Sequence, residues 1–280
     1  MSVEFYIKSS YKVSKLITKQ YSTSFSLATS VLEKDKRDAI YAIYGFVRIA
    51  DEIVDSFQGF DKPYLLQNLT VQLDYALENG ISSNVILTSF ADTVKKYKIA
   101  KEHINAFMES MRNDLTKTDY TTTDDLNNYI YGSADVVGLM CLKVFCNGNQ
   151  TLYNELEYAA QKLGSAFQKV NFLRDLKNDK TELGRSYFPG LSANELDETN
   201  KKIIEQSIEQ DFNEAWSGIK RLPGRSKLAV ALAYYYYLAL LEKIKHSSPE
   251  RLLTERVRIS DLQKYFILLK VGIKYIMKLF

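Results

Sequence analysis

Proline is scarce in this chain. Its 280 residues include four, Pro63, Pro189, Pro223 and Pro249, and none lies between Tyr64 and Phe188, so helices in that stretch meet no ring-imposed break. Glycine is sparse too, at 12 residues. The two cysteines, Cys141 and Cys146, have a spacing that fits neither a zinc ribbon nor a CxxC redox pair. With no secretory signal at the start, a reducing, cytoplasmic compartment is expected, with membrane association as the alternative. An excess of one charge is also missing. Lys+Arg number 37 against Asp+Glu 34, spread without blocks, which argues against nucleic acid as a partner. No uncharged apolar run reaches the roughly 18 residues that span a bilayer. The longest, Leu228 to Leu241, reads as a buried core helix.

What the chain does have is helical periodicity. Apolar residues recur at three- and four-residue steps in Ala39–Ile53, Ile104–Leu115 and Leu156–Leu176, while strand alternation is scarce. Turn signals fall at Gly59 to Pro63, Asn79-Gly80, Thr121 to Asp124, Asn147 to Asn149, Gly184 to Pro189 and Pro223-Gly224. They predict an all-α chain of roughly eight or more helices, forming one large domain over residues 1–280. The final segment, YFILLKVGIKYIMKLF, mixes lysines into an apolar pattern. Such a pattern suits either a membrane surface or a helix that caps the bundle, and capping is the expectation.

One element occurs twice, a D-x-x-x-D pair at Asp51/Asp55 and again at Asp175/Asp179. On the first helix Tyr41, Tyr44, Arg48, Asp51 and Asp55 follow steps of three and four and share a face; on the second, Gly164, Gln168, Asn171, Asp175 and Asp179 do the same. Carboxylates one helical turn apart, about 6 Å, repel by about 3 kcal/mol at an effective dielectric of ~20. A buried pair therefore needs a cation. Magnesium takes oxygen ligands and completes its shell with water and phosphate, so two facing pairs suit a diphosphate clamp, with Arg48 and Arg174 as direct phosphate contacts. A single pair of this kind is usually a solvated face, and Glu52, Lys177, Lys180 and Glu182 read as ordinary solvated charges.

The pattern becomes specific in DEIVD preceded by YAIYGFVRIA, and in Q-x-x-N-F-L-R-D-L-K-N-D followed by GRSYFP. Together with YSTSFSLAT (Tyr21 to Thr29), YIYGSADVVGLM (Tyr129 to Met140) and ERVRIS (Glu255 to Ser260), these resemble the signatures of the squalene and phytoene synthase family. The resemblance implies an all-helical bundle around a central cavity. It implies magnesium, two or three ions with manganese as a substitute, held by Asp51, Asp55, Asn171, Asp175 and Asp179, with Gln168 beside them. Ser22, Ser24, Arg48, Tyr129, Arg174, Tyr187 and Arg256 would face the diphosphates. Phe25, Tyr41, Tyr44, Ala134, Val137, Gly138, Gly164 and Tyr237 would line the channel for the prenyl tails. From the residues alone, the aromatics read equally as core, the glycines as close-packing positions, and Ser22 and Ser24 as a cap and a turn.

The implied reaction is head-to-head condensation of two prenyl diphosphates through a cyclopropyl diphosphate. Two geranylgeranyl diphosphates giving phytoene are placed ahead of farnesyl diphosphate giving squalene or dehydrosqualene. Tyr129 and the released diphosphate are the candidate proton carriers. No nicotinamide cofactor is expected, and no G-x-G-x-x-G occurs. A desaturase is the implied downstream partner, and peripheral membrane contact an implied route for product release. A non-catalytic helical relative, acting in assembly or binding, is the alternative of another class. Three features depart from the family pattern. Tyr21 stands where many relatives carry histidine, Asp135 where a small residue is usual, and the interval from Asp179 to Tyr187 is one residue longer than the common form.

Overall fold

The computed structural model describes residues 2–181, 184–185, 187–188 and 196–280, without the side chains of residues 178, 180 and 181. The described residues form thirteen α-helices. They are α1 (Val3–Tyr21), α2 (Thr23–Ser30), α3 (Lys34–Asp55), α4 (Lys62–Asn79), α5 (Val85–Tyr97), α6 (Lys101–Asn113), α7 (Thr123–Ile130), α8 (Val136–Cys146), α9 (Gln150–Thr181), α10 (Glu198–Ile219), α11 (Gly224–Lys245), α12 (Pro249–Thr254) and α13 (Asp261–Ile276). One π-helical segment, Tyr131–Asp135, joins α7 to α8.

Local chemistry sets most of the ends. Asn84, Thr122, Asp197 and Ser260 each accept a backbone N–H of the first turn of the helix that follows. Gly80 ends α4 at φ +76°, the left-handed backbone that glycine adopts without a Cβ penalty. Further breaks fall at Ser22 and Lys98, where no proline or glycine marks them, and at Ser248, which caps α12 just before Pro249 at its first position.

Two apolar clusters build the body. The first joins α3 to α6 and α8, with Phe46 stacked on Phe90 at 4.1 Å and edge-on to Phe107 at 5.3 Å. All three rings are fully buried, each contributing roughly 1.5–3 kcal/mol by leaving water. The second joins α9, α10 and α11 with α2 and α7. The apolar run Leu228 to Leu241 lies in α11, where Ala231, Leu232 and Leu241 are fully buried, as a core helix requires.

Among the described residues one helical stretch, Thr123–Cys146, is long and apolar enough to cross a membrane. It packs against α6 and α9 inside the body, with half of its apolar window buried, which is the position of a core helix.

Close approach of α8 and α9 depends on missing side chains. A Cβ at Gly138 would lie 3.1 Å from the Ala160 carbonyl oxygen. One at Gly164 would lie 2.9 Å from the Asp135 Cα and 3.0 Å from the Ala134 oxygen, both backbone atoms. Gly164→Ala is therefore expected to lower stability by about 1–3 kcal/mol, as overpacking does, read as a lower midpoint in urea with an unchanged slope.

Candidate active site

Between the two apolar clusters lies a cavity of about 850 Å³. Its deep wall is apolar, with Phe145, Leu156, Ala160, Ala215, Gly218 and Leu222 contributed by α8, α9, α10 and the turn after α10. Its other end is polar, lined by Asp51 and Asp55 of α3 and by Asn171, Asp175 and Asp179 of α9. The two acidic turns, 120 residues apart in sequence, thus share one chamber with each other and with an apolar tunnel.

Arginines meet the carboxylates. Arg174 donates to its neighbour Asp175 at 3.0 and 2.5 Å, and Arg256 reaches the same carboxylate at 2.6 Å. Arg185, which is buried, donates to Asp55 at 2.9 Å and to the Asp114 backbone oxygen at 2.9 Å. Tyr129 donates to Asp114 at 3.1 Å and sits in a ring stack with Tyr120, Phe172 and Tyr187. On the far side Tyr237 donates to the Asn171 amide oxygen at 3.2 Å and stacks on Phe167 at 3.9 Å.

The electrostatics favour a cation. Burial, reinforced by the Asp55 charge, pushes Asp51 up to about 8. Burial, with Asp175 and Asp55 as like-charged neighbours, pushes Asp179 up to about 7. Asp114 is likewise raised to about 7, first by burial, against the pull of Arg185, and its Oδ1 is buried without a hydrogen-bond partner. Arg185 links the two acidic pairs across the cleft, donating its side chain to the Asp55 carboxylate and its backbone N–H to the Asp179 carbonyl, each at 2.9 Å. Among the described residues no three His, Cys, Asp or Glu side chains form a ready-made metal cage. The donors instead stand on two walls, an arrangement that fits hard cations whose shells are completed by phosphate oxygens between them.

Residues 18–263 match the model of the squalene/phytoene synthase family. The chain belongs to that family. It is 29% identical over 259 residues to a chloroplastic phytoene synthase of Zea mays, covering 85% of this chain and 62% of that one. Thus it spans under two thirds of that plant relative's length. It is 29% identical over 264 residues to the phytoene synthase of Arthrospira platensis, covering 85% and 84%. Among solved structures, a dehydrosqualene synthase superposes with a TM-score of 0.82 at 23% identity, over 97% of this chain and 98% of that one. A squalene synthase from Alicyclobacillus acidocaldarius gives 0.76 at 22%, over 88% and 96%. The all-helical architecture is that of these isoprenoid synthases.

Nearly every residue assigned to the site by family resemblance stands on the cavity wall, including Ser22, Ser24, Phe25, Tyr44, Arg48, Ala134, Val137, Gln168, Tyr187, Tyr237 and Arg256. Several fill structural roles as well. Ser22 caps α2 by accepting the Phe25 N–H at 3.2 Å, and Phe25 stacks on Tyr44 at 4.9 Å. Tyr41 corrects the family-based assignment. It is 1% exposed and lies in the core beside Ser26, off the cavity wall. Tyr41 lies ten residues before Asp51 and about 80° around α3 from it, so at that depth its side chain turns off the cavity wall into the core. Glu52 is another correction, being ion-paired with Arg48 and only 17% exposed rather than freely solvated. Lys177 is exposed, while the side chains of Lys180 and Glu182 lie outside the described residues.

The departures from the family pattern resolve separately. The Tyr21 ring lies under the Arg48 guanidinium at 4.3 Å, so the phenol side chain holds that arginine by cation–π contact at the cavity wall. In the long interval, the Arg185 N–H donates to the Asp179 carbonyl at 2.9 Å and Tyr187 stacks on Phe172 at 3.9 Å; residues 182, 183 and 186 lie outside the described set.

Asp135 is off the cavity wall, near Ser165, Lys162, Lys169 and Asp211, with its Oδ1 buried and unpartnered. Burial first, then the Asp211 charge, pushes it up to about 7. Since an unfolded aspartate releases its proton near pH 4, the folded state binds the extra proton between about pH 4 and pH 7. Stability falls as pH rises through that window and is flat above it. Asp135→Asn should therefore raise the thermal midpoint by several degrees at pH 8 and by less at pH 5; equal gains at both would contradict this account.

Proposed function

We propose that this protein condenses two prenyl diphosphates head to head, through a cyclopropyl diphosphate, and that two geranylgeranyl diphosphates giving phytoene are its reaction. One observation carries the reading: two arginine-flanked acidic turns, from α3 and α9, stand at the polar end of an apolar cavity of about 850 Å³. Sequence similarity to phytoene synthases over 85% of the chain supports the choice of product. In this reading residues 1–280 act as one catalytic domain. Asp51, Asp55, Asn171, Asp175 and Asp179 hold magnesium, which when bound supplies Lewis acidity toward the leaving diphosphate.

The chain's own residues do the rest. Arg48, Arg174 and Arg256 offer guanidinium donors to phosphate oxygens, and Arg174 and Arg256 exchange their hold on Asp175 for substrate. Aromatic faces at Phe25, Tyr44, Phe167 and Tyr237 steady carbocations, while the aliphatic wall keeps water from quenching them. Tyr129 is paired with Asp114, and burial raises the phenol well above its ordinary range, so it can hold or pass a proton but does not ionise on its own. The proposal includes a reducing compartment, consistent with Cys141 and Cys146 as free thiols, and a desaturase as consumer of the product.

The test is incubation of the purified protein with magnesium and C15 or C20 prenyl diphosphate, with and without a reduced nicotinamide. A C40 hydrocarbon from the C20 donor, independent of reductant, is the expected result. A C30 product identifies the farnesyl branch instead, and absence of any hydrocarbon from either donor overturns the enzyme reading.

A further inference from the structure

Five carboxylates stand on the cavity wall among the described residues, and four of them, Asp51, Asp55, Asp175 and Asp179, form the two acidic turns. The fifth, Asp114, differs in its surroundings. It caps the end of α6, is 8% exposed, and accepts the Tyr129 hydroxyl at 3.1 Å through one oxygen, while its other oxygen has no hydrogen-bond partner. Arg185 stands 3.9 Å from that second oxygen and directs its donors to Asp55 and to the Asp114 backbone. A buried carboxylate with one hydrogen bond is held less firmly in its charged form than one tied by several donors, so it keeps its basicity. Tyr129 has a single proton to give, and that proton points at Asp114. Its oxygen therefore meets the cavity with lone pairs, suited to receiving a proton and unsuited to donating one to a phosphate oxygen. Tyr120, Phe172 and Tyr187, all buried, surround the Tyr129 ring with centroids at 4.6, 6.0 and 5.6 Å and shield the pair from water.

We infer that Asp114 is the proton acceptor behind Tyr129 in the step that ends the reaction, an inference that rests on the proposed condensation. There the last carbocation loses a proton. The C–H bond breaks, its electrons become the new double bond, and the proton passes to the Tyr129 oxygen; as it arrives, the phenolic proton moves along the existing hydrogen bond to the Asp114 carboxylate. A neutral phenol is a weak base by itself, and burial opposes its ionising beforehand. A carboxylate that takes the phenolic proton in the same step removes that obstacle. Afterwards the relay runs in reverse toward the released diphosphate, which restores the carboxylate and the neutral phenol. Asp114 acts through Tyr129, as a positioning residue that also stores the proton.

Scoring the two stages separately decides it, with purified protein, magnesium and C15 or C20 prenyl diphosphate, and with cyclopropyl diphosphate and hydrocarbon as the two readouts. Asp114→Asn keeps the shape and still accepts the Tyr129 hydroxyl, but cannot take up its proton. It is expected to raise the ratio of cyclopropyl diphosphate to hydrocarbon at least about tenfold, with an alcohol of the same carbon number appearing where water captures the cation. Tyr129→Phe should raise the ratio as far, and the double variant no further than either single one, because the two side chains act as a unit. Asp114→Glu retains the carboxylate and should hold the ratio within about threefold of wild type. A ratio unchanged in Asp114→Asn, losses that multiply in the double variant, or a ratio in Asp114→Glu as high as in Tyr129→Phe overturns the relay and leaves the condensation standing. A wild type that makes neither product overturns both.

Discussion

Asp51→Asn is expected to lower turnover at least about a hundredfold while raising the stability of the metal-free protein. The two effects share one cause. Asp51 is half-buried on the cavity wall beside Asp55, and both desolvation and the like charge disfavour its carboxylate, which is pushed up to about 8. An amide of the same shape removes that cost, so in chelator the variant should melt several degrees higher. The same amide lacks the negative charge that a carboxylate brings to a hard cation, and each 1.36 kcal/mol of lost transition-state stabilisation is a tenfold loss of rate. Asp175→Asn should lose activity as severely, with the helical circular dichroism preserved. Asp175 is already neutralised by Arg174 and Arg256, so its replacement brings no gain in stability. Full activity in either variant would remove the cation assignment. A lower melting point for Asp51→Asn would show that its carboxylate has a structural partner.

Arg185→Met should be the most destabilising single change at the site. The guanidinium is buried, donates to Asp55 and to the Asp114 backbone, and stands 3.9 Å from the Asp114 carboxylate, which is itself only 3% exposed. Removing it leaves Asp114 uncompensated, at a cost of about 3–5 kcal/mol, or a fall in Tm of roughly 5–10 °C. Turnover should fall about 10- to 100-fold as well, since Asp55 loses the group that orients it. Combining Arg185→Met with Asp114→Asn should recover part of the lost stability, because the stranded charge is then gone. If the single variant melts with the wild type, Arg185 is not the counter-ion of this corner.

Helical spacing made α3 and α9 legible, because residues that must share a polar face on an otherwise apolar rod leave a repeat of three and four in the sequence. Asp114 and Arg185 left no such trace. One caps the end of α6, the other follows α9 in an irregular segment, and their meeting across 71 residues is a product of the tertiary fold. GRSYFP contains Arg185, yet nothing local distinguishes its arginine from a solvated one. Tyr41 shows the opposite error. It obeys the spacing, but spacing counts residues while the wall of a cavity is set by angle and depth, and ten residues from Asp51 the side chain has turned about 80° and enters the core. The outward face of α13, where Leu262, Phe266 and Leu269 are exposed, was present as a lysine-punctuated apolar pattern, and only packing distinguishes an apolar residue that is covered from one that is not.

α9 carries residues from both ends of the chamber, from Leu156 in the deep wall to Asp179 at the polar end. Every turn between them advances about 5.4 Å. A hydrocarbon tail whose head is anchored at Asp175 must therefore pass Gln168, Gly164 and Ala160 in that order, as along the marks of a graduated rod. Selection acting on one mark, by exchanging a small side chain for a bulky one, shortens the usable length in whole steps and leaves the anchoring end untouched.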